Sequence, residues 1–196
     1  LNMAYFIVIG TNNDVKCAVD EVKGAHLQHN FVTSGCVLSE GDDMYYHWDV
    51  FNEKGKKTNE NKDAIHLHDA LTNQISQFRA LLPDDAIPNV FIISSCLTEK
   101  ECEMLKTVCD ELDQIGGAML SGLLVDIILV GYNLSQPENV TLRPHWRQLE
   151  SLRGLTERIR FHTDILYINN MDYRGAATNV DAKLLSRFIC NWSKMV

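Results

Sequence analysis

Four clusters of hydroxyl, amide and carboxylate side chains stand directly after apolar runs in this sequence. They are Thr11, Asn12, Asn13 and Asp14; Ser94, Ser95, Cys96 and Thr98; Asn133 and Ser135; and Asn169, Asn170, Asp172 and Arg174. Such groups can bind an anion together with helix-end N–H groups, or hold a hard cation through Asp14, Asp172 and hydroxyl oxygens. The same residue types also cap helices and make turns wherever they occur. Cys96 adds a candidate nucleophile, because a thiol at a helix amino terminus gains thiolate character from the N–H groups and the macrodipole. A cysteine hydrolase also needs a base within hydrogen-bond reach. His162 precedes its strand and so belongs at the opposite edge of a sheet, while His47 and His145 have no position fixed by sequence.

Other groupings carry less chemistry. His66, His68 and Asp69 have the composition of a metal set, but residues two apart on a helix point about 200° apart, so the two histidines cannot share an ion there. No metal is expected, and no cofactor is specified. Arg143, Arg147, Arg153, Arg158 and Arg160 gather around one helix, where Glu150 and Glu157 can pair with Arg153 and Arg160. Asp126, inside an apolar run, needs a partner if buried.

The elements that must position the four clusters are legible from their periodicity. Residues 90–93 form an unbroken apolar and β-branched run, the composition of a strand buried on both faces, and Ser94, Ser95 and Cys96 end it. Thr98 then stands three residues before Glu101, the spacing of a capping box, with Leu97 and Cys102 as a staple. Cys102, Leu105, Cys109, Leu112 and Ile115 recur at helical steps, and Gly116-Gly117 is expected to end the helix in a left-handed conformation. Residues 5–9 repeat this order of strand, polar turn and helix, with Val15, Ala18, Val19 and Val22 inward. Both turns should therefore lie at the carboxyl edge of one parallel sheet, where open α/β folds bind ligands.

Residues 25–62 read as an inserted edge hairpin followed by a mobile loop. Segments 31–38 and 44–51 flank a turn at 39–43, and Met44, Tyr46, Trp48 and Val50 alternate with polar neighbours. The polar stretch 52–62 lacks apolar residues with which to order itself. Residues 63–82 predict an amphipathic helix with Ala64, Leu67, Leu71, Ile75, Phe78 and Leu82 inward. Residues 123–130 and 165–168 predict two further parallel strands. Between them, Trp146, Leu149, Leu152, Leu155 and Ile159 make a helical stripe. Thr178 and Asp181 suggest a capping box for a last helix with Val180, Leu184, Phe188 and Trp192 inward.

Composition bounds the partners. The 196 residues carry 18 Lys plus Arg against 26 Asp plus Glu, a net charge of -8, which opposes nucleic acid as a partner. The apolar run 118–130 is interrupted by Ser121 and Asp126 and is shorter than the ~20 residues of a membrane-spanning helix. No basic segment precedes residues 5–9, so no secretory signal is expected. Six scattered cysteines without a C-x-x-C pair fit free thiols and a cytoplasmic setting.

Phe6-Ile7-Val8-Ile9-Gly10 through Val22 resembles the first strand, loop and helix of the bacterial tubulin-like GTPases, and residues 165–175 resemble that family's late strand and Asn-containing loop. The resemblance implies nucleotide binding. Where the family carries glycine-rich turns, this chain reads Thr11-Asn12-Asn13-Asp14 and Ser94-Ser95-Cys96-Leu97-Thr98. The reading that follows is a single α/β domain over 1–196, a three-layer sandwich with a mainly parallel, Rossmann-like sheet. Its expected role is a noncatalytic ligand-binding or assembly module. The partner would be a small anionic ligand, another protein or a second copy. A divergent nucleotide-binding domain and a Cys96 hydrolase are the alternatives.

Overall fold

The computed structural model describes residues 3–10, 32–41, 45–51, 58–95, 98–119, 122–131, 150–158 and 163–169, with 174, 184, 185, 187, 188 and 191. Seven strands form one sheet: β1 (Met3–Ile9), β2 (Val32–Glu40), β3 (Tyr46–Phe51), β4 (Thr58–Lys62), β5 (Asn89–Ser94), β6 (Leu124–Val130) and β7 (Thr163–Ile168). Their order is β4-β3-β2-β1-β5-β6-β7. β1, β2, β5, β6 and β7 run parallel, and β3 is antiparallel to both β2 and β4. With helices α1 (Ala64–Arg79), α2 (Glu99–Ala118) and the single turn α3 (Leu155–Arg158), this is the expected α/β sandwich on a mainly parallel sheet. No described helix is long and apolar enough to cross a membrane.

The continuous apolar runs of β1, β5 and β6 are explained by burial on both faces. On one face Tyr5, Ile7, Val90, Ile92 and Ile127 share a core with Leu67, Leu71, Ile75 and Phe78 of α1. Cys102, Leu105, Cys109, Leu112 and Ile115 of α2 complete it, as their helical spacing requires. On the other face Phe6, Val8, Phe91, Ile93, Ile128 and Val130 are equally dry, and the Phe6 and Phe91 rings stack 5.4 Å apart. Each such side chain contributes about 1.5–3 kcal/mol when fully buried.

Several expectations are corrected. The hairpin expected from 31–38 and 44–51 is formed by β2 and β3, which pair antiparallel from Gly35 opposite Phe51 to Glu40 opposite Tyr46; what the spacing did not show is that β2 also pairs β1 in parallel and that β4 extends the antiparallel wing. Residues 58–62, expected within a mobile loop, form β4. Their polar side chains carry no strand signal because backbone pairing with β3, from Tyr46 opposite Lys62 to Val50 opposite Thr58, supplies the order. Glu60 and Lys62 also form an ion pair there. Gly116 and Gly117 continue α2, which ends at Met119 with φ -89°; the left-handed residue falls later, at Gly122. The stripe through Leu152 and Leu155 is buried, but Gly154 at φ +77° interrupts the helix between them. In the last segment Leu185 is buried while Leu184 and Phe188, expected inward, are 48% and 42% exposed. The expected first helix at 15–22 and the capping box at Thr178 lie outside the described residues.

Candidate functional site

After β1 the chain pairs β2 on one side and later returns to place β5 on the other, so β1 and β5 flank a topological switch point. Hydrogen bonding runs one residue past the strand ends. Gly10 N–H donates to the Leu38 carbonyl at 3.0 Å, and Ser95 N–H donates to the Ile9 carbonyl at 3.1 Å. Further along, Gly131 N–H reaches the Ile168 carbonyl at 2.9 Å. The corner that follows Ile9 and the corner carrying Ser94-Ser95 therefore share one rim.

Ser94 and Ser95 are fully buried, and neither Oγ has a hydrogen-bond partner among the described residues. A buried hydroxyl left unpaired costs about 1–3 kcal/mol, so two in succession at a switch point need a reason. The start of α2 lies just beyond. Thr98 Oγ1 accepts from Glu101 N–H at 3.2 Å, and the Glu101 carboxylate accepts from Thr98 N–H at 3.2 Å, the capping box expected from spacing. Glu99 adds a second carboxylate to this first turn. The N–H groups of a helix start normally attract anions, but here the chain's own carboxylates already answer that dipole. Lys100 ties the turn to the neighbouring corner, with Nζ donating to the Gly41 carbonyl at 3.1 Å. The rim near Ser95 thus offers hydroxyls rather than a bare anion cradle.

Of the other expected site residues, Thr11, Asn12, Asn13, Asp14, Cys96, Asn133, Ser135, Asn170 and Asp172 lie outside the described residues. Asn169, half-buried after β7, and exposed Arg174 are described. The histidines of α1 are held apart by different carboxylates: His66 Nδ1 lies 2.6 Å from Asp63 Oδ1, and His68 pairs with Glu111 of α2. Arg153 meets Glu150 at 3.3 Å and Arg158 meets Asp110 at 2.8 Å, which uses two of the clustered arginines in surface pairs.

The described cysteines, Cys36, Cys102 and Cys109, are free and buried. Burial pushes Cys36 and Cys109 up to about 12 and raises Cys102 as well, so these thiols stay protonated and inert. Burial also raises the Tyr5 hydroxyl, and the adjacent Cys36 adds to the rise without giving it a well-formed hydrogen bond.

One feature escaped the sequence. An open cavity of about 680 Å³ lies between β7 and the segment carrying Leu184, Leu185, Arg187, Phe188 and Asn191. The four-residue step from Leu184 to Phe188 was its trace, and that step reads equally well as a stripe buried in the core.

No family model matches the chain, and no curated protein matches it. Among solved structures it is similar to the crystal structure of a DUF4886 family protein from Bacteroides uniformis ATCC 8492, at 9% identity and a TM-score of 0.30, covering 98% of this chain and 95% of that one.

Proposed function

We propose that the chain is a noncatalytic binding module whose ligand sits at the carboxyl ends of β1 and β5. The observation that carries the proposal is the pair of buried, unpartnered hydroxyls of Ser94 and Ser95 at the switch point. Hydroxyls there can donate to or accept from a polar ligand in a site shielded from water, where such bonds are strong. They are poor nucleophiles, because a serine requires a base at hydrogen-bond distance and neither has a partner among the described residues. The acidic first turn of α2 favours a neutral or weakly charged ligand over a phosphate at this end of the rim. A net charge of -8 supports a partner other than nucleic acid, and free buried thiols fit a reducing, cytoplasmic setting.

Nucleotide binding is a second reading, favoured by the position of the switch point, since doubly wound sheets bind nucleotides there. A thermal-shift panel of sugars, nucleosides, inorganic phosphate, and ATP and GTP with and without magnesium tests both. The expected outcome is a shift with a neutral polar compound that Ser95→Ala abolishes while leaving the unliganded Tm unchanged or raised. A shift with ATP or GTP instead selects the second reading. No shift with any compound rejects both.

A further inference from the structure

We infer that the cavity beside β7 is a second binding site, for a small apolar carboxylate of the aliphatic or aryl-acid class. Its volume of about 680 Å³ falls within the about 300–1,000 Å³ of ligand pockets. Its walls are largely hydrocarbon: Leu166 and Ile168 from β7, and Leu184 and Phe188 from the facing segment. The side chains of Leu184, at 48% exposure, and Phe188, at 42%, place apolar surface against the opening instead of in the core. An apolar body in the cavity would cover that surface.

The charge at this cavity has the opposite sign to that of the protein. Arg187 lines it in a chain of net charge -8, and no described residue forms an ion pair with Arg187, unlike Arg153 and Arg158. A guanidinium stays protonated and presents a planar fork that matches a carboxylate in two parallel hydrogen bonds. Asn191 adds an amide donor to the same lining. Among the described lining residues, apolar walls with one cationic fork and the amides of Asn169 and Asn191 describe the recognition of an amphipathic acid. This cavity lies at the outer strand, with β6 separating β7 from β5, so it is distinct from the hydroxyl rim.

The test is calorimetric titration of the full chain with decanoate, decanol and decylamine. Decanoate should bind saturably at one site per chain, decylamine should not bind, and decanol should bind more weakly. Arg187→Gln should weaken decanoate about tenfold to a hundredfold, the loss of one charge-assisted fork, and Arg187→Lys should recover part of it. Leu184→Asp, at a position 48% exposed, should abolish decanoate binding by like-charge repulsion while the thermal melt of the variant stays cooperative. Ser95→Ala should leave it unchanged, which separates this site from the rim. The inference is overturned if decanoate fails to saturate up to about 1 mM. Equal affinity for decanol overturns it as well, and so does an Arg187→Gln protein that binds like the parent. A concentration-dependent dimer that Phe188→Lys disrupts, in place of decanoate binding, overturns the inference and assigns the surface to a second copy.

Discussion

The two outer strands of the sheet solve the same problem in opposite ways. β4 reads Thr58-Asn59-Glu60-Asn61-Lys62 and places an ion-paired Glu60 and Lys62 at its edge, so its unpaired backbone faces water among charges that discourage a further strand. β7 reads Thr163-Asp164-Ile165-Leu166-Tyr167-Ile168 and leaves Ile165 and Tyr167 37% and 38% exposed. The anchoring differs too. Behind β4, Trp48 of β3 is 2% exposed and fixes the antiparallel wing to the core, with Tyr46 and Val50 packed beside it. Behind β7 the cavity takes the place of a packed wall. A strand that ends a sheet needs either charge on its rim or something apolar to cover it; β4 has the charge, and β7 presents apolar surface that the inferred ligand would cover.

Truncating the anchors should give the largest contrast. Trp48→Ala removes a buried aromatic and is expected to cost about 3–5 kcal/mol, whereas Ile165→Ala should cost less than about 1 kcal/mol. Urea denaturation of both variants checks this, and comparable losses would mean that the β7 wing is anchored as firmly as the β3 wing.

Glycines sharpen the comparison at the next scale down. A Cβ on Gly41 would stand 2.4 Å from the Tyr45 carbonyl oxygen, a backbone atom at the β2–β3 corner that cannot move aside. A Cβ on Gly131 would stand 2.1 Å from the Tyr167 hydroxyl, the far end of a partly exposed side chain. Gly41→Ala should therefore cost about 2–3 kcal/mol and Gly131→Ala about 1 kcal/mol, within the range for overpacking. Adding Tyr167→Ala should remove the Gly131 clash, while no side-chain truncation should rescue Gly41→Ala. Thermal melts of the single and double variants decide it.

What was legible in the sequence follows from where the ordering energy resides. Local signals were reliable: the Thr98–Glu101 capping box and the stripe from Cys102 to Ile115 involve residues within one helix. The shared rim of Ile9 and Ser95 was also legible, because two strand-turn-helix units in a parallel sheet must present their turns on the same edge. β4 was not, since its order comes from backbone pairing with β3 and its side chains carry no period. The cavity was hidden for a related reason: Leu184 and Phe188 have the spacing of a core stripe, and only the packing of β7 shows that Leu185 is the buried member. Gly116-Gly117 misled because a pair of glycines permits a helix end without requiring one.

The smaller effects distinguish the two wings through α2. Thr98→Ala should cost about 1 kcal/mol by removing the acceptor for Glu101 N–H. The loss should loosen the Lys100 link to Gly41 and so raise amide exchange at the β2–β3 corner, with little change at β7. Alkali acts on the same core. Cys36 and Cys109 have pKa values raised by burial from 9.0 to about 12, so their contribution is fully present below pH 9 and is lost as pH rises towards 12. Stability measured against pH should be flat at neutrality and fall above about pH 9. Cys36→Ala should shallow that fall.

The smallest expected effect is at the start of α1, next to the polar edge. Asp63 caps this helix, its carboxylate accepting from His66 N–H at 2.8 Å, and that hydrogen bond lowers its pKa from 3.8. A depressed carboxylate pKa means that the cap is complete above pH 3.8 and weakens as pH falls through the lower, folded value. Amide exchange at His66 should accelerate over that acid window while the buried amides of β5 stay protected. Asp63→Asn keeps a capping oxygen without the titrating proton, so it should hold the helix start but remove the pH dependence. If the acid sensitivity survives in Asp63→Asn, it originates in another group and the cap is not the titrating element of this wing.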